Sequence, residues 1–368
     1  MKPKKVLIAL SGGVDSAVAA YLLKKKGYEV VGLFMRTFRD EKIQSLNPCK
    51  NPGGKTDEKF ARLIAKMLRI KLIIIDAKKQ YKDKVITSMI KDYAKGLTPN
   101  PDITCNTLIK FPILLNEAEK LKADYIATGH YARIKKTKSG YTLLAGKDKT
   151  KDQSYFLYQL TQKELSRLIF PVGTLKKENV RKIAKSNNFP NWDKPGTTGV
   201  CYLGNTQNIK SFLENKIKHK KGKILSPEGE FLGYHPGTSY FTIGQKIQEH
   251  LGMTINKPRS FAQKKYYIAE KRKGNILIAA PENHPSLKKR EIKIKNFHLI
   301  APKGTIPKSG LKARIRHLGD LHKGNLSKKY GDFIFRFNKP VAGIAEGQHI
   351  VLYKNNEVIG GGEMSNFK

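Results

Sequence analysis

The sequence has few cysteines and no long apolar run, which are the features that would indicate an oxidising compartment or a membrane. It has three cysteines, Cys49, Cys105 and Cys201, and because they form no Cys-x-x-Cys pair they exclude a disulfide framework. No apolar run approaches the ~20 residues that a membrane span needs. The apolar stretch from Val6 to Leu10 is too short for a secretory signal. We therefore expect a cytoplasmic protein that does not associate with membranes.

Acidic residues are also scarce. Asp and Glu together number 30 against 71 Lys and Arg, which gives a formal net charge of +41. An excess of this size favours a polyanionic partner, because phosphate contacts made by Lys and Arg release counterions and so drive association. An abundance of lysine for purely compositional reasons would give the same excess. The charge therefore indicates nucleic acid without identifying which kind.

The pattern of apolar segments divides the chain into three parts. Up to about residue 128, short apolar strands at 4–10, 28–35, 71–76 and 125–128 alternate with amphipathic helices. This alternation predicts an α/β doubly wound parallel sheet, whose ligand crevice lies beyond the carboxyl ends of the strands. After about residue 206 the strands are short and separated by Gly, Pro and Asn, and from about 286 the pattern is all β. We expect an N-terminal α/β domain over 1–206, a small central β-rich domain over 207–284 and a C-terminal β-barrel over 285–368.

The central domain has four candidate strands of its own. They lie at 223–234, 238–243, 266–270 and 275–279. In the C-terminal part, Phe333 to Phe337 and His349 to Tyr353 are typical of strands, and Asn355-Asn356 is typical of a hairpin turn. The alternate residues Phe333, Phe335 and Phe337 favour a barrel core over a base-stacking surface.

The first motif that carries chemistry is Ser11-Gly12-Gly13-Val14-Asp15-Ser16, directly after the first strand. Its glycines let the backbone turn tightly and approach a ligand, and the helix that follows points its first amides at an anion. A plain strand–turn–helix connection, capped by Ser16 or Asp15, is the alternative. Asp15 is unexpected at an anion site unless it holds a metal or fixes the loop.

A second motif surrounds Cys105. Residues 98–111 contain two prolines and two asparagines that predict a loop, after which Asn106 or Thr107 would cap a helix. A cysteine just before a helix N-terminus has its thiolate stabilised by the helix dipole. Lys110 adds positive charge, and Asp102 is a candidate proton acceptor. An inert, half-buried cysteine is the alternative, and local chemistry does not decide between the two.

Cys201 follows a glycine-containing stretch, Gly196 to Val200. A flexible loop and a strand edge both fit this stretch. Two cysteines in such surroundings suit persulfide chemistry, in which one cysteine carries a terminal sulfur and the other releases it by forming a disulfide.

Over nearly its whole length the sequence resembles the bacterial tRNA-specific 2-thiouridylases, which contain the PP-loop of the adenine nucleotide α-hydrolase-like ATP pyrophosphatases. The matching segments are Ser11 to Ser16, Thr98 to Phe111, Ala127 to Tyr131, Lys151 to Leu157, Gly199 to Cys201, Tyr240 to Gln245 and Gly360 to Gly362. The resemblance implies an enzyme that adenylates O2 of the wobble uridine of tRNA and then replaces that oxygen with sulfur from a cysteine persulfide. AMP and pyrophosphate would be released.

The same resemblance implies roles for individual residues. ATP would be bound by Ala9, Leu10, Ser11, Gly12, Gly13, Val14, Asp15, Ser16, Met35 and Gly129. Cys201 would carry the persulfide, Cys105 would be the nucleophile that releases sulfur, and Asp102 would be the base beside the target uridine. tRNA would be contacted by Asn100, Pro101, Asp102, His130, Lys151, Asp152, Gln153, Arg316, His317 and Gln348.

The expected cofactors are ATP and Mg²⁺, with no metal held by the protein itself, and the expected partners are tRNA and a persulfide sulfur donor. Three alternatives stay open at the level of single residues. His130 fits a packed turn residue, Asp152 fits a helix cap, and Gln348 fits a loop brace. For the whole chain, the alternatives are another PP-loop adenylating enzyme, of the lysidine synthase or amidating synthetase type, and a non-catalytic basic RNA-binding protein.

Overall fold

The computed structural model describes residues 3–37, 53–196, 209–214, 216–218, 220–248, 252–255, 265–302, 306–307, 309–329 and 331–366. Within these ranges the strands are β1 (Lys5–Ala9), β2 (Glu29–Arg36), β3 (Lys71–Asp76), β4 (Tyr125–Ala127), β5 (Ala132–Thr137), β6 (Gly140–Ala145), β7 (Leu168–Ile169), β8 (Gly222–Leu225), β9 (Phe231–His235), β10 (Thr254–Ile255), β11 (Tyr266–Arg272), β12 (Ile276–Pro281), β13 (Lys288–Leu299), β14 (Leu311–Arg314), β15 (His322–Lys329), β16 (Asp332–Ala342), β17 (His349–Lys354) and β18 (Glu357–Ser365). No helix among the described residues is long and apolar enough to cross a membrane.

The α-helices in the same ranges are α1 (Val14–Lys25), α2 (Gly53–Met67), α3 (Lys78–Tyr81), α4 (Thr87–Ala94), α5 (Pro101–Cys105), α6 (Phe111–Lys120), α7 (Gln162–Arg167), α8 (Lys177–Ser186) and α9 (Ile209–Glu214). A π-helical turn, Lys82–Ile86, joins α3 to α4, and a second, Asn106–Lys110, joins α5 to α6. Short 3₁₀ helices cover Ser154–Leu157, Thr238–Tyr240 and Pro285–Leu287.

The N-terminal sheet is parallel, as its apolar segments predict. Its strand order is β3-β2-β1-β4-β7, with each neighbouring pair parallel. The run β1, β2, β3 grows outward in one direction, whereas β4 lies on the other side of β1. This reversal next to β1 is the topological switch point at which such sheets bind ligands.

The second sheet has the order β10-β9-β8-β12-β11. The strand predicted at 238–243 is wrong, since the described chain there forms the 3₁₀ helix Thr238–Tyr240. The Asn275 side chain accepts the Thr238 N–H at 3.1 Å, and the buried Tyr240 donates its hydroxyl to Ile217 O at 2.9 Å. These contacts satisfy the Thr238 N–H and the Tyr240 hydroxyl without pairing to a neighbouring strand.

The C-terminal strands close into the expected barrel. The order β13-β16-β15-β14-β17-β18 is completed by pairing of β18 with β13. Phe335 and Phe337 are at most 1% exposed and lie in its core, as their alternation predicts. Asn355 forms the hairpin turn between β17 and β18, with a φ of 56°.

The hairpin β5–β6, which lies inside the N-terminal part of the sequence, extends the barrel sheet through the pair Glu357 and Leu144. A single apolar cluster accordingly joins Leu7 and Phe111 of the first domain to Val351 and Tyr353 of the barrel. This shared core sets the barrel against the side of the parallel sheet that carries α5 and α6.

Candidate active site

The loop between β1 and α1 is shaped by its own side chains. Ser16 Oγ donates to Gly13 O at 2.9 Å and accepts the Ser11 N–H at 3.1 Å. At Gly12, where φ is +76°, a Cβ atom would lie 2.1 Å from the backbone oxygen of Asp57, so only glycine fits. A glycine turn followed directly by a helix N-terminus is the arrangement that binds phosphate groups.

The predicted nucleotide-binding residues lie together at the switch point. Ala9 and Leu10 lead from β1 into the loop, and Met35 lies near the end of the adjacent strand β2. Gly129 follows β4 on the other side of β1. A Cβ atom on Gly129 would lie 2.7 Å from Ser16 N, so this position touches the loop itself. The three strand ends therefore form one edge around the Ser11–Ser16 loop.

The Asp15 carboxylate accepts hydrogen bonds from two other side chains of the protein. Its two carboxylate oxygens accept from Lys177 Nζ at 2.5 and 2.7 Å, and Oδ1 also accepts from the Tyr131 hydroxyl at 2.7 Å. Burial, followed by the charge of Asp15, raises the pKa of Tyr131 well above its ordinary value. Of the two roles expected for Asp15, the contacts therefore favour fixing the loop.

A second pair braces the other side of the loop. Lys194 forms an ion pair with the side chain of Asp57, whose backbone oxygen faces Gly12. Asn191 is fully buried and donates its side-chain amide to Gly12 O at 3.0 Å. Lys177, Asn191 and Lys194 were not found by sequence reasoning. No local motif marks them, because their partners lie far away in the chain.

The described residues contain no group of three or more His, Cys, Asp or Glu side chains that could hold a metal ion. Two carboxylates at the loop, Asp15 within it and Asp57 beside Gly12, are paired with lysines. Mg²⁺ is commonly bound by one or two carboxylates together with substrate phosphates and water.

The segment around Cys105 differs from the prediction. The helix begins at Pro101, with Asn100 as its N-cap, because the Asn100 side chain accepts the Ile103 N–H at 3.3 Å and Pro101 has no N–H to satisfy. Cys105 therefore lies inside a continuous helical segment, and the expected cap at Asn106 or Thr107 is wrong. The cysteine is one turn farther from the helix's unpaired amides than the dipole argument assumed.

Asp102 and Cys105 are three positions apart on this helix, so their side chains share one face. Both are half-buried. The barrel contacts the chain just before them: Thr98 N–H donates to Glu346 O at 2.8 Å, and Gln348 Nε2 donates to Pro99 O at 3.3 Å. Gln348 thus braces the segment that leads to Asn100.

His130 is a packed side chain. It is 9% exposed, with its ring between those of Phe111 and Phe170 and its Nδ1 2.7 Å from Thr128 Oγ1. Burial, with Lys110 as a second cause, holds the pKa of His130 well below its ordinary value, so the ring is neutral. These contacts fit the packed-turn alternative.

Asp152 is also buried, at 2% exposure. Its Oδ1 accepts the N–H groups of Gly146 and Ser154 at 2.9 and 3.1 Å, and Oδ2 accepts from Arg314 Nη1 at 2.7 Å. The carboxylate therefore accepts the first N–H of the 3₁₀ helix that follows and connects this helix to the barrel. Its neighbours differ: Lys151 is exposed, and Gln153 accepts the Tyr131 N–H at 3.0 Å.

Arg316 and His317 lie on the barrel beside this turn. Arg316 is exposed, whereas the His317 ring lies 4.3 Å from that of Phe156. Burial lowers the pKa of His317 to about 4. Phe156 in turn accepts the Asn106 side-chain amide at its carbonyl, at 3.5 Å, which links this surface to the helical segment of Cys105. Cys201 lies outside the described residues, so its distance from Cys105 is not defined.

Three family descriptions match consecutive parts of the chain. "tRNA methyl transferase HUP domain" matches residues 4–205, "tRNA methyl transferase PRC-barrel domain" matches 210–280, and "Aminomethyltransferase beta-barrel domain" matches 289–364. The three matches follow the order of the three sheets.

Curated relatives match the chain from end to end. The tRNA-specific 2-thiouridylase MnmA 1 of Geobacillus kaustophilus is 38% identical over 98% of this chain and 95% of its own. The MnmA of Karelsulcia muelleri is 37% identical over 99% and 100% of the two chains, and that of Buchnera aphidicola is 40% identical over 98% and 96%.

Proposed function

The chain belongs to the tRNA-specific 2-thiouridylase family, and on that premise we propose that it converts the wobble uridine of tRNA to 2-thiouridine. The observation that carries this proposal is similarity to the 2-thiouridylases over nearly the full length of both chains. We place the reaction in the cytoplasm. Within the proposal, boundaries near 206 and 284 divide the chain into a catalytic domain, a central domain and a tRNA-binding barrel.

ATP fits the Ser11–Ser16 loop because the glycine turn, the α1 N-terminus and the Lys177 and Lys194 ammonium groups surround one edge of the sheet. ATP bound there would supply the α-phosphorus for adenylation, and a Mg²⁺ ion bound with it would offset the charge of its phosphates. Lys177 pairs with Asp15 in the loop and Lys194 with Asp57 beside it, so each lysine reduces the repulsion between a carboxylate and the phosphates.

Sulfur replaces the uridine oxygen in three steps, which are adenylation of O2, release of hydrosulfide and substitution at C2. Asp102 takes the proton from uridine N3 as O2 attacks the α-phosphorus, and pyrophosphate leaves. The Cys105 thiolate attacks Sγ of the Cys201 persulfide, which forms the Cys105–Cys201 disulfide and frees hydrosulfide; direct attack by the persulfide is the alternative order. Hydrosulfide then adds to C2 and AMP leaves. A cellular dithiol supplies the two electrons that reduce the disulfide, and a persulfide donor protein reloads Cys201.

We assign three kinds of role to the predicted tRNA-contacting residues in this proposal. Lys151 and Arg316 are exposed cations and meet the RNA directly. His130, Asp152 and Gln348 act as positioning residues, because each has a polar side-chain atom bonded within the protein. Asn100 and Pro101 set the start of the helix that carries Asp102.

The test is mass spectrometry of tRNA nucleosides after incubation with ATP, Mg²⁺ and a persulfide donor. Cys105→Ser and Cys201→Ser are expected to yield no 2-thiouridine, whereas Cys49→Ser, the third cysteine, serves as the matched control and retains activity. tRNA-dependent exchange of pyrophosphate into ATP is expected to persist in all three. Exchange without 2-thiouridine in the unmodified protein would indicate another adenylating enzyme, and absence of both would indicate a non-catalytic RNA-binding protein.

A further inference from the structure

A cavity of about 470 Å³ lies between the three domains, away from the Ser11–Ser16 loop. Its walls come from the chain after α4, at Gly96 and Thr98, from β11 and β12 of the second sheet, and from β13 and the loop before β17 of the barrel. A volume of this size accommodates a small ligand.

Three charged residues that line the cavity form ion pairs, and a fourth, Glu346, has a backbone hydrogen-bond donor. Arg272 Nε donates to Glu270 at 3.0 Å. Glu291 accepts from Arg336 at 3.1 Å. The Glu346 carboxylate accepts the Asn366 N–H at 2.8 Å.

Lys271 lines the same cavity and has no such pair. Its Nζ donates to Gly96 O at 2.9 Å, and no carboxylate within the described residues forms an ion pair with it. Burial lowers the pKa of Lys271 to about 8. An ammonium group has three N–H donors, so two remain for a ligand.

Lys289 lines the cavity from the barrel side. Its Nζ donates to the Asn366 side chain, and burial lowers its pKa while Glu346 and Glu270 act in the opposite direction. The apolar side chains of Ile243 and Ile278 also line the cavity. Such walls weaken solvent screening and strengthen attraction between an ammonium group and an anion.

We propose that this cavity binds a phosphate group, held by Lys271 and Lys289. A compact oxyanion supplies the counter-charge that Lys271 lacks and accepts from both ammonium groups. The phosphate can belong to a free small molecule or to an RNA backbone, since both present the same oxygens. The site goes beyond the thiolation reaction, and its occupancy can be measured whether or not the chain thiolates tRNA.

The position of the site gives it a route to the catalytic helix. Lys271 donates to Gly96 O, and Thr98 N–H donates to Glu346 O. Two residues that line the cavity therefore form hydrogen bonds with the chain just before Asn100. A bound phosphate accepts from the same Lys271 ammonium group that donates to Gly96 O. Occupancy therefore acts on the segment that leads to Asp102 and Cys105.

The test is reductive methylation of lysines in the full-length protein at pH 8, read for each residue by peptide mass spectrometry. Inorganic phosphate is expected to slow methylation of Lys271 about fivefold, because an anion that raises the lysine pKa by about one unit, from about 8, lowers the deprotonated fraction at pH 8 from about one half to about one tenth. Lys273, exposed in the turn after β11, is the matched control and changes little. In Lys289→Met, the phosphate concentration that protects Lys271 is expected to rise about tenfold, since one charge-assisted hydrogen bond is lost.

A parallel arm uses unmodified tRNA in place of phosphate. Protection of Lys271 by tRNA but not by phosphate, with Lys273 still reactive, identifies the RNA backbone as the source of the phosphate group. Protection by phosphate identifies a site for a free anion. The proposal is overturned if neither probe slows methylation of Lys271, or if Lys273 slows to the same extent.

Discussion

Lys177 places its ammonium group against both carboxylate oxygens of Asp15, at 2.5 and 2.7 Å, although the two residues are 162 positions apart. The lysine is the first residue of α8, and its own N–H donates to Asp148 at 2.9 Å. Helix α8 thus stabilises the nucleotide loop through one side chain, and the negative charge of Asp15 is balanced before any phosphate is bound.

Replacing this lysine tests the arrangement. Lys177→Met is expected to weaken ATP binding at least tenfold, a loss of about 1.4 kcal/mol, because the Asp15 carboxylate would then repel the phosphates. Isothermal titration calorimetry measures the change. Lys185→Met, on the same helix with its ammonium over the Trp192 ring, is the control. Equal ATP affinity in the two variants would show that Lys177 does not serve the loop.

The sequence predicted the strand ends that form this site better than the long-range contacts that stabilise it. The strand ends at Ala9, Met35 and Gly129 follow from apolar runs and glycines, which are local signals. The helix start at Asn100 was missed because two prolines and two asparagines fit a loop as well as a cap followed by Pro at the first helical position. Lys177 was missed because its partner is set by the packing of α8 against α1, which no local pattern encodes.

The hairpin β5–β6 was missed for a similar reason. Its two strands are ordinary in composition, and their attachment to the barrel is made by one long-range pair, Leu144 with Glu357, and by the hydrogen bond from Ala145 N–H to Asn356 O at 2.8 Å. The barrel itself could be predicted, because strands such as 333–337 carry the alternation of a sheet with one buried face.

The buried ion pair between Asp152 and Arg314 gives a prediction about stability. Arg314→Met is expected to lower the free energy of unfolding by about 3 kcal/mol, because it leaves the Asp152 carboxylate buried without its counter-charge. Urea denaturation measures the loss. The double variant Asp152→Asn with Arg314→Met removes the stranded charge and is expected to recover part of it. A single variant as stable as the unmodified protein would mean that Asp152 relaxes toward solvent.

Gly347 gives a prediction about catalysis. A Cβ atom there would lie 3.0 Å from Leu97 Cβ and 3.1 Å from Thr98 N, so Gly347→Ala is expected to displace the chain before Asn100 and to lower kcat about tenfold, with the KM for ATP unchanged. Gly343→Ala is the matched control. Its φ of +74° resembles the +83° of Gly347, but a Cβ atom on Gly343 would meet nothing within 4 Å. If both variants lose kcat equally, backbone strain rather than contact with Leu97 is the cause.

Buried histidines set the response of the fold to acid. Burial lowers the pKa of His349 to about 4 from an ordinary value of 6.5, and its Nδ1 lies 2.8 Å from the Tyr158 hydroxyl. As pH falls through 6.5, the unfolded chain takes up a proton at this residue while the folded protein does not. Stability is therefore complete above 6.5 and falls as pH decreases toward 4, by at most about 3 kcal/mol for this group.

The measurement is urea denaturation at several pH values between 6.5 and 4.5. His349→Gln is expected to flatten the dependence by about 1.4 kcal/mol per pH unit, since one proton fewer separates the folded and unfolded states. The carboxylate of Glu58, whose pKa is lowered to about 2 mainly by its hydrogen bond with Arg36, loses its contribution only as pH falls below its ordinary value of 4.5, outside this window. His284→Gln, at the start of the 3₁₀ helix Pro285–Leu287, is the control. A slope in His349→Gln equal to that of the unmodified protein would mean that His349 takes up its proton over the same pH range in the folded and unfolded states. The Tyr158 hydroxyl would then have to accept from Nδ1–H of the protonated ring.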